Sequence, residues 1–121
     1  MPRFVLLEHT LETVHWDFLI EAGGVLRSWA IDEPVVPGRD LPARPLPDHR
    51  TIYLDYEGEI SRGRGRVRRV DAGEYELVAD EGSRVVVRIA GAQLVGEVEV
   101  RQLDVESEGG GMWNFRLGKV D

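Results

Sequence analysis

No cysteine occurs among the 121 residues. That excludes disulfides, a thiolate nucleophile and thiolate metal ligands. There is no run of about 18 apolar residues, so no membrane-spanning helix and no membrane partner are expected. Met1-Pro2-Arg3 leads straight into a strand-like segment and lacks the long apolar stretch and small-residue cleavage site of a signal peptide. A cytoplasmic location is therefore expected. Heptads, internal repeats, low-complexity segments and a strong amphipathic helix are all missing. P-loop, Gly-x-Ser-x-Gly and His-Glu-x-x-His motifs are absent, and Gly63-Arg64-Gly65 does not make a nucleotide-binding fingerprint.

Apolar residues make up 42% of the chain and charged residues 31%, an ordinary globular balance. The length suits one domain with one core, expected over 1–121. A net charge of −7 argues against broad non-specific binding of nucleic acid. Its distribution is uneven. Arg62, Arg64, Arg66, Arg68 and Arg69 lie close together, while Glu97, Glu99, Asp104, Glu106 and Glu108 fall in the last third. A basic patch on an acidic body is compatible with this pattern.

The chain reads as strands separated by turns. Arg3–His9 is rich in apolar residues. His15–Glu21 alternates, with Trp16, Phe18 and Ile20 on one face and His15, Asp17, Leu19 and Glu21 on the other. Gly23-Gly24 separates it from Val25–Ile31 with hairpin spacing. Thr51–Ile60, Arg64–Val70, Glu74–Ala79, Arg84–Ile89, Val95–Leu103 and Met112–Leu117 are further expected strands. Asp71-Ala72-Gly73, Asp80–Ser83 and Gly109-Gly110-Gly111 read as turns. Asp32–Arg50 holds five of the six prolines and has no periodicity, so it reads as a long surface loop with at most one helical turn. The expected fold is all-β: a single antiparallel β-barrel, which removes exposed edges, with a long Pro-rich loop and little helix.

There are three histidines, His9, His15 and His49. His15 and Asp17 stand two apart and share a strand face. By the same parity His9 lies on the face of Val5 and Leu7. A loop over Thr10–Val14 would fold it back beside His15. Two imidazoles and a carboxylate then converge, a set that suits Mn²⁺, Fe²⁺ or Zn²⁺ and leaves coordination positions for water or substrate. On their own, a His-x-Asp pair is more often surface polarity and His49 more often a loop residue. Arg62, Arg64, Arg66 and Arg68 share a parity and would form a basic stripe: ordinarily a solvated face, functionally a phosphate holder. Trp16, Trp29 and Trp113 read as core.

Several blocks taken in order carry a resemblance: Glu8-His9; His15-Trp16-Asp17-Phe18; Gly24-Val25-Leu26-Arg27-Ser28-Trp29-Ala30; Asp48-His49-Arg50, Tyr53 and Asp55-Tyr56-Glu57-Gly58; Gly73 with Tyr75; Trp113-Asn114-Phe115. The chain resembles the 3′-phosphoesterase domain of bacterial ATP-dependent DNA ligase D over nearly its whole length, as a compact stand-alone version. The resemblance implies a β-barrel with a crescent-shaped site. It implies a Mn²⁺-supported activity, with Zn²⁺ or Co²⁺ as other metals, that removes a 3′-terminal ribonucleoside and then a 3′-phosphate from nucleic-acid ends. A separate DNA ligase or polymerase is then an expected partner. His9, His15 and Asp17 match the family's metal ligands, His9 counting also among the catalytic residues, and His49 and Tyr53 match residues acting at the scissile phosphate. A family arginine two residues after the metal-binding aspartate is replaced by Leu19. A family lysine corresponds to Glu33 and a family glutamate to Pro47. Arg44, Arg50, Arg64 and Arg66 are the candidates to hold phosphate instead.

Two other classes stay open on the residues alone. One is a non-haem Fe(II) site made of His15, Asp17 and a later histidine. The other is a non-catalytic module that binds phosphorylated ends after losing part of its phosphate clamp.

Overall fold

The computed structural model describes residues 1–103 and 111–118. The chain forms β1 (Arg3–Leu11), β2 (Thr13–Ala22), β3 (Val25–Ile31), β4 (Asp40–His49), a 3₁₀ turn (Thr51–Leu54), β5 (Gly58–Glu59), β6 (Arg66–Asp80), β7 (Arg84–Gly91), β8 (Val95–Gln102) and β9 (Trp113–Leu117). All pairings are antiparallel, in the order β1-β2-β3-β4-β9-β8-β7-β6, and β1 pairs back onto β6. Eight strands therefore close into a barrel, and short β5 adds to the edge of β6. Among the described residues no helix is long and apolar enough to cross a membrane. Of the Gly109-Gly110-Gly111 turn and the acidic last third, Gly109, Gly110, Asp104, Glu106 and Glu108 lie outside the described residues.

Period-two alternation sends Phe4, Leu6, Phe18, Ile20, Trp29 and Phe115 into the barrel core. Phe18 meets Phe115 edge-on at 5.2 Å between ring centres. Trp29 and Trp113 are buried and Trp16 packs partly against the same core. The opposite parity is not simply wet. Val5, Leu7, Leu19, Leu26 and Val67 form a second buried cluster on the outside of the barrel wall, capped by Leu54 from the 3₁₀ turn. Full burial of a side chain such as Leu19 stabilises by about 1.5–3 kcal/mol, so the capping turn is held to the wall by apolar contact.

Three segments depart from the sequence reading. The Pro-rich stretch is not a loop throughout, because Asp40–His49 is a strand. It pairs with β9 over Asp40–Ala43 and with β3 over Ala43–His49. Only Ala43 has a neighbour on both sides, so Pro42, Pro45 and Pro47 each keep one edge free for the missing N–H. Thr51–Ile60 is not one strand: only Gly58–Glu59 pairs, with β6, and Thr51–Leu54 makes the 3₁₀ turn, with Tyr53 N–H on Arg50 O at 3.2 Å and Asp55 N–H on Ile52 O at 3.1 Å. Asp71-Ala72-Gly73 is not a turn but the middle of β6, next to Val70, the extra residue where the register shifts from Leu7↔Arg69 to Leu6↔Asp71. Gly73 is required there because a Cβ would stand 2.1 Å from the Ala90 carbonyl oxygen.

Candidate metal centre and cleft

His9 and His15 are direct cross-strand partners, and pairing continues through Thr10↔Val14 and Leu11↔Thr13. The expected loop over Thr10–Val14 is therefore a tight hairpin turning at Glu12, whose φ is +62°. Register, not a fold-back loop, brings the imidazoles together, since directly opposed residues share a face at about 5 Å between Cβ atoms. Asp17 is the diagonal neighbour of His9 on that face.

The ligand atoms converge. His9 Nδ1 is 3.2 Å from His15 Nε2 and 3.5 Å from Asp17 Oδ2. His15 Nε2 is 3.0 Å from Asp17 Oδ1. Atoms held about 2.1 Å from one cation at angles between square and tetrahedral lie roughly 3.0–3.4 Å apart, so these spacings fit a shared ion. Asp17 is buried, and its Oδ1 accepts no aligned hydrogen bond. A buried anionic oxygen with no donor fits a cation site. His9 Nε2–H donates to the Arg64 carbonyl oxygen at 2.8 Å, which leaves Nδ1 as the lone-pair atom facing the group. Of the three histidines, His49 stands apart from this cluster, so the two-histidine, one-carboxylate outline is filled by His9 rather than by a later histidine.

His49 ends β4 opposite Leu26. Its Nδ1 lies 2.9 Å from the Pro47 carbonyl oxygen and 2.9 Å from Ser28 Oγ. The Ser28 hydroxyl donates to the Leu26 carbonyl oxygen at 3.0 Å, so Ser28 accepts from His49 Nδ1–H and Nε2 is the ring atom left unengaged. Tyr53 stands edge-on to His49 with ring centres 5.8 Å apart. The 3₁₀ turn that carries Tyr53 is tied down by Arg3, whose guanidinium donates to Asp55 at 2.7 and 3.2 Å, and by Arg69, which donates to the Leu54 carbonyl oxygen at 3.2 Å. Those Arg3 hydrogen bonds hold the Asp55 carboxyl below the usual carboxylate range.

One cleft of about 350 Å³ gathers His9, Asp17, His49, Arg50, Tyr53 and Arg64 over a floor of Leu7, Ile60 and Val67. Most of the sequence-predicted site residues thus share one cavity. Arg66 lines a neighbouring groove instead. Arg44 sits on the same face in the row Asp17, Ala30, Arg44, but its guanidinium is bound to Asp32 at 2.7 Å and it does not line the cleft. Arg62, Arg64, Arg66 and Arg68 do not form one stripe: the first two precede β6, and Arg68 pairs with Glu8 at 3.0 Å. Leu19, at the family-arginine position, is fully buried in the second cluster. Glu33 pairs with Arg39 at 3.1 Å, and Pro47 supplies the carbonyl that receives His49. The sequence reading missed Ser28 and the Arg64 carbonyl as supports. A lone serine inside the apolar run Val25–Ile31 was the available signal for the first; a backbone acceptor leaves none.

A family model described as DNA Ligase D 3'-phosphoesterase domain matches residues 7–111. The multifunctional non-homologous end joining DNA repair protein LigD of Mycobacterium tuberculosis is 32% identical over an alignment of 102 residues that covers 77% of this chain and 13% of that protein. The multifunctional non-homologous end joining protein LigD of Pseudomonas aeruginosa is 35% identical over 65 residues, 50% of this chain and 8% of its own length. That of Mycolicibacterium smegmatis is 33% identical over 79 residues, covering 61% and 10% respectively. The chain thus spans a small part of the relatives it matches.

Proposed function

The chain belongs to the DNA ligase D 3′-phosphoesterase domain family, and on that premise we propose that it is a divalent-metal phosphoesterase acting on 3′ ends of nucleic acid in DNA end repair. It would remove a 3′-phosphate or a 3′-terminal ribonucleotide. The observation that carries this reading is the set of 3.0–3.5 Å spacings among His9 Nδ1, His15 Nε2 and the Asp17 carboxylate; two of these residues, His9 and Asp17, line a cleft together with His49 and Tyr53.

His9, His15 and Asp17 hold the ion, with Mn²⁺ as the proposed metal. A divalent ion there supplies Lewis-acid polarisation of a phosphate oxygen and neutralises developing charge. A water would attack the phosphorus as its bond to the leaving oxygen breaks, and His49 would give that oxygen a proton from Nε2, while Ser28 and Pro47 fix its ring through Nδ1–H. The Tyr53 hydroxyl donates to a phosphate oxygen. Arg50 and Arg64 take the charge that the family arginine meets elsewhere, because position 19 is closed by a buried leucine. A ligase or polymerase activity would use the resulting 3′-hydroxyl.

The test is turnover of a 3′-phosphorylated oligonucleotide and of a primer ending in one ribonucleotide, with Mn²⁺. His49→Ala should lose about 10²–10⁴-fold, and His9→Ala, His15→Ala or a chelator should abolish activity. Full activity in any of these would sink the reading. Leu19 favours a second reading, a module that binds phosphorylated ends without cutting them. Tight binding of the phosphorylated end with no turnover on either substrate would select it.

A further inference from the structure

Ten of the fourteen arginines stand within 4.0 Å of a carboxylate, from Arg3 with Asp55 to Arg116 with Asp40. The other four, Arg50, Arg62, Arg64 and Arg66, have no ion-pair partner among the described residues. Arg62, Arg64 and Arg66 are neighbours in sequence, Arg64 donating to Ser61 at 2.9 and 3.2 Å, and the fold brings Arg50 to them although carboxylates are plentiful in a chain of net charge −7. Arg50 and Arg64 line the metal cleft, and Arg50, Arg62 and Arg66 line a groove of about 770 Å³ that joins it through Arg50, Tyr53 and Ile60.

The groove also has surfaces for flat rings. Ile52 and Leu11 are exposed, and Tyr56 is held by its hydroxyl, which donates to the Glu59 carbonyl oxygen. Its far lip is the loop Ser61–Gly65, closed by Ile60 N–H on Gly65 O at 2.8 Å. Arg62 sits there at φ +64°, a backbone region where glycine or asparagine is the easier residue. A long cation kept at a strained tip is better explained by what its side chain does than by the turn. Gly65 seats this loop against β1, since a Cβ would stand 2.2 Å from the Thr10 carbonyl oxygen. The same loop supplies the Arg64 carbonyl that orients His9.

Resting on the phosphoesterase reading, we infer that this groove is the track for the single strand behind the reacting 3′ end. Backbone phosphates of the flanking nucleotides lie along Arg50, Arg66 and Arg62, and bases rest on Tyr56 and Ile52. Arginines paired with aromatic and apolar platforms suit sequence-tolerant binding of single strands.

The test is fluorescence-anisotropy binding of 3′-phosphorylated dinucleotide and octanucleotide to the full chain in chelator, together with Mn²⁺ turnover of both. The octanucleotide should bind at least tenfold more tightly. A double variant, Arg62→Gly with Arg66→Ala, should erase that advantage and lower the log–log salt slope by about 1.4, two contacts at roughly 0.7 each on single strands. Glycine suits the backbone at position 62, so an unchanged melting temperature checks the fold. His15→Ala should keep the length advantage. Equal affinity for both lengths, or an unchanged slope in the double variant, overturns the track, and so does equally tight binding of a polyglutamate octamer. Turnover without a length advantage overturns the track alone. A length advantage without turnover supports the track and overturns the phosphoesterase reading.

Discussion

Asp17 and Asp71 are both carboxylates buried in the barrel wall, at 3% and 4% exposure, and their surroundings differ in kind. Asp71 accepts from four backbone amides. Its Oδ1 takes Ala72 N–H and Ala92 N–H at 2.9 Å, its Oδ2 takes Leu94 N–H at 2.7 Å, and Gln93 N–H is shared at 3.3 and 3.2 Å. It clamps the turn between β7 and β8, and its charge is met by the protein itself. Asp17 faces two imidazole nitrogens, and its Oδ1 has no aligned donor. A buried carboxylate ringed by aligned N–H groups completes a fold, whereas one that keeps an oxygen without an aligned donor beside two imidazole nitrogens suits a cation. The contrast separates a carboxylate whose charge the fold itself meets from one whose Oδ1 the fold leaves without an aligned donor.

The largest effect is expected where a protein cation is forced on the Asp17 side. Leu19 shares Asp17's strand face but is sealed among Val5, Leu7, Leu26 and Leu54. Leu19→Arg should destabilise by about 3–5 kcal/mol, because the guanidinium is buried without a partner. Urea unfolding checks this. A variant as stable as wild type with faster turnover would show that the second cluster yields to admit a phosphate clamp.

Next in size is the structural carboxylate. Asp71→Asn swaps an acceptor oxygen for an amide that points donors at donors, so one or more turn N–H groups lose their partner. The loss should be about 3 kcal/mol and roughly 10 °C in melting temperature, the same with and without Mn²⁺. A metal-dependent loss would erase the contrast with Asp17.

Asp17→Asn should do the reverse. Metal-free stability should stay near wild type or rise, because a buried charge without aligned donors is removed. The stabilisation by added Mn²⁺, about 2.7 kcal/mol at a hundredfold excess over Kd, should vanish. Differential scanning calorimetry with and without chelator reads both halves. An Asn variant that still gains stability from Mn²⁺ would place the ion elsewhere.

The sequence made the two carboxylates unequally legible. His15 and Asp17 follow period two on a well-alternating strand, so their common face was readable, and Trp16, Phe18 and Ile20 marked the opposite one. Asp71 looked like a turn residue because Asp and Gly are turn formers. Three of its four partners lie 21 to 23 positions away, and Gly73 answers to a neighbouring strand's carbonyl. The prolines of Asp40–His49 hid β4, since nothing local reveals that the strand changes partners at Ala43. The buried outer cluster was hidden too. Period two separates faces but cannot say that Leu54 will cover the second one.

Ser28 offers the smallest change and the finest discrimination. It is a buried neutral group whose hydroxyl donates to Leu26 O and accepts from His49. In Ser28→Ala the His49 Nδ1–H keeps its Pro47 acceptor, so the ring is held by one partner instead of two. One net hydrogen bond is worth about 1 kcal/mol, so kcat on the 3′-phosphorylated strand should fall about fivefold. The Mn²⁺ affinity should not move, because Ser28 supports the wall opposite the ion. If metal affinity falls while kcat holds, the serine belongs with Asp17's half of the cleft, and the division of labour between its two walls is wrong.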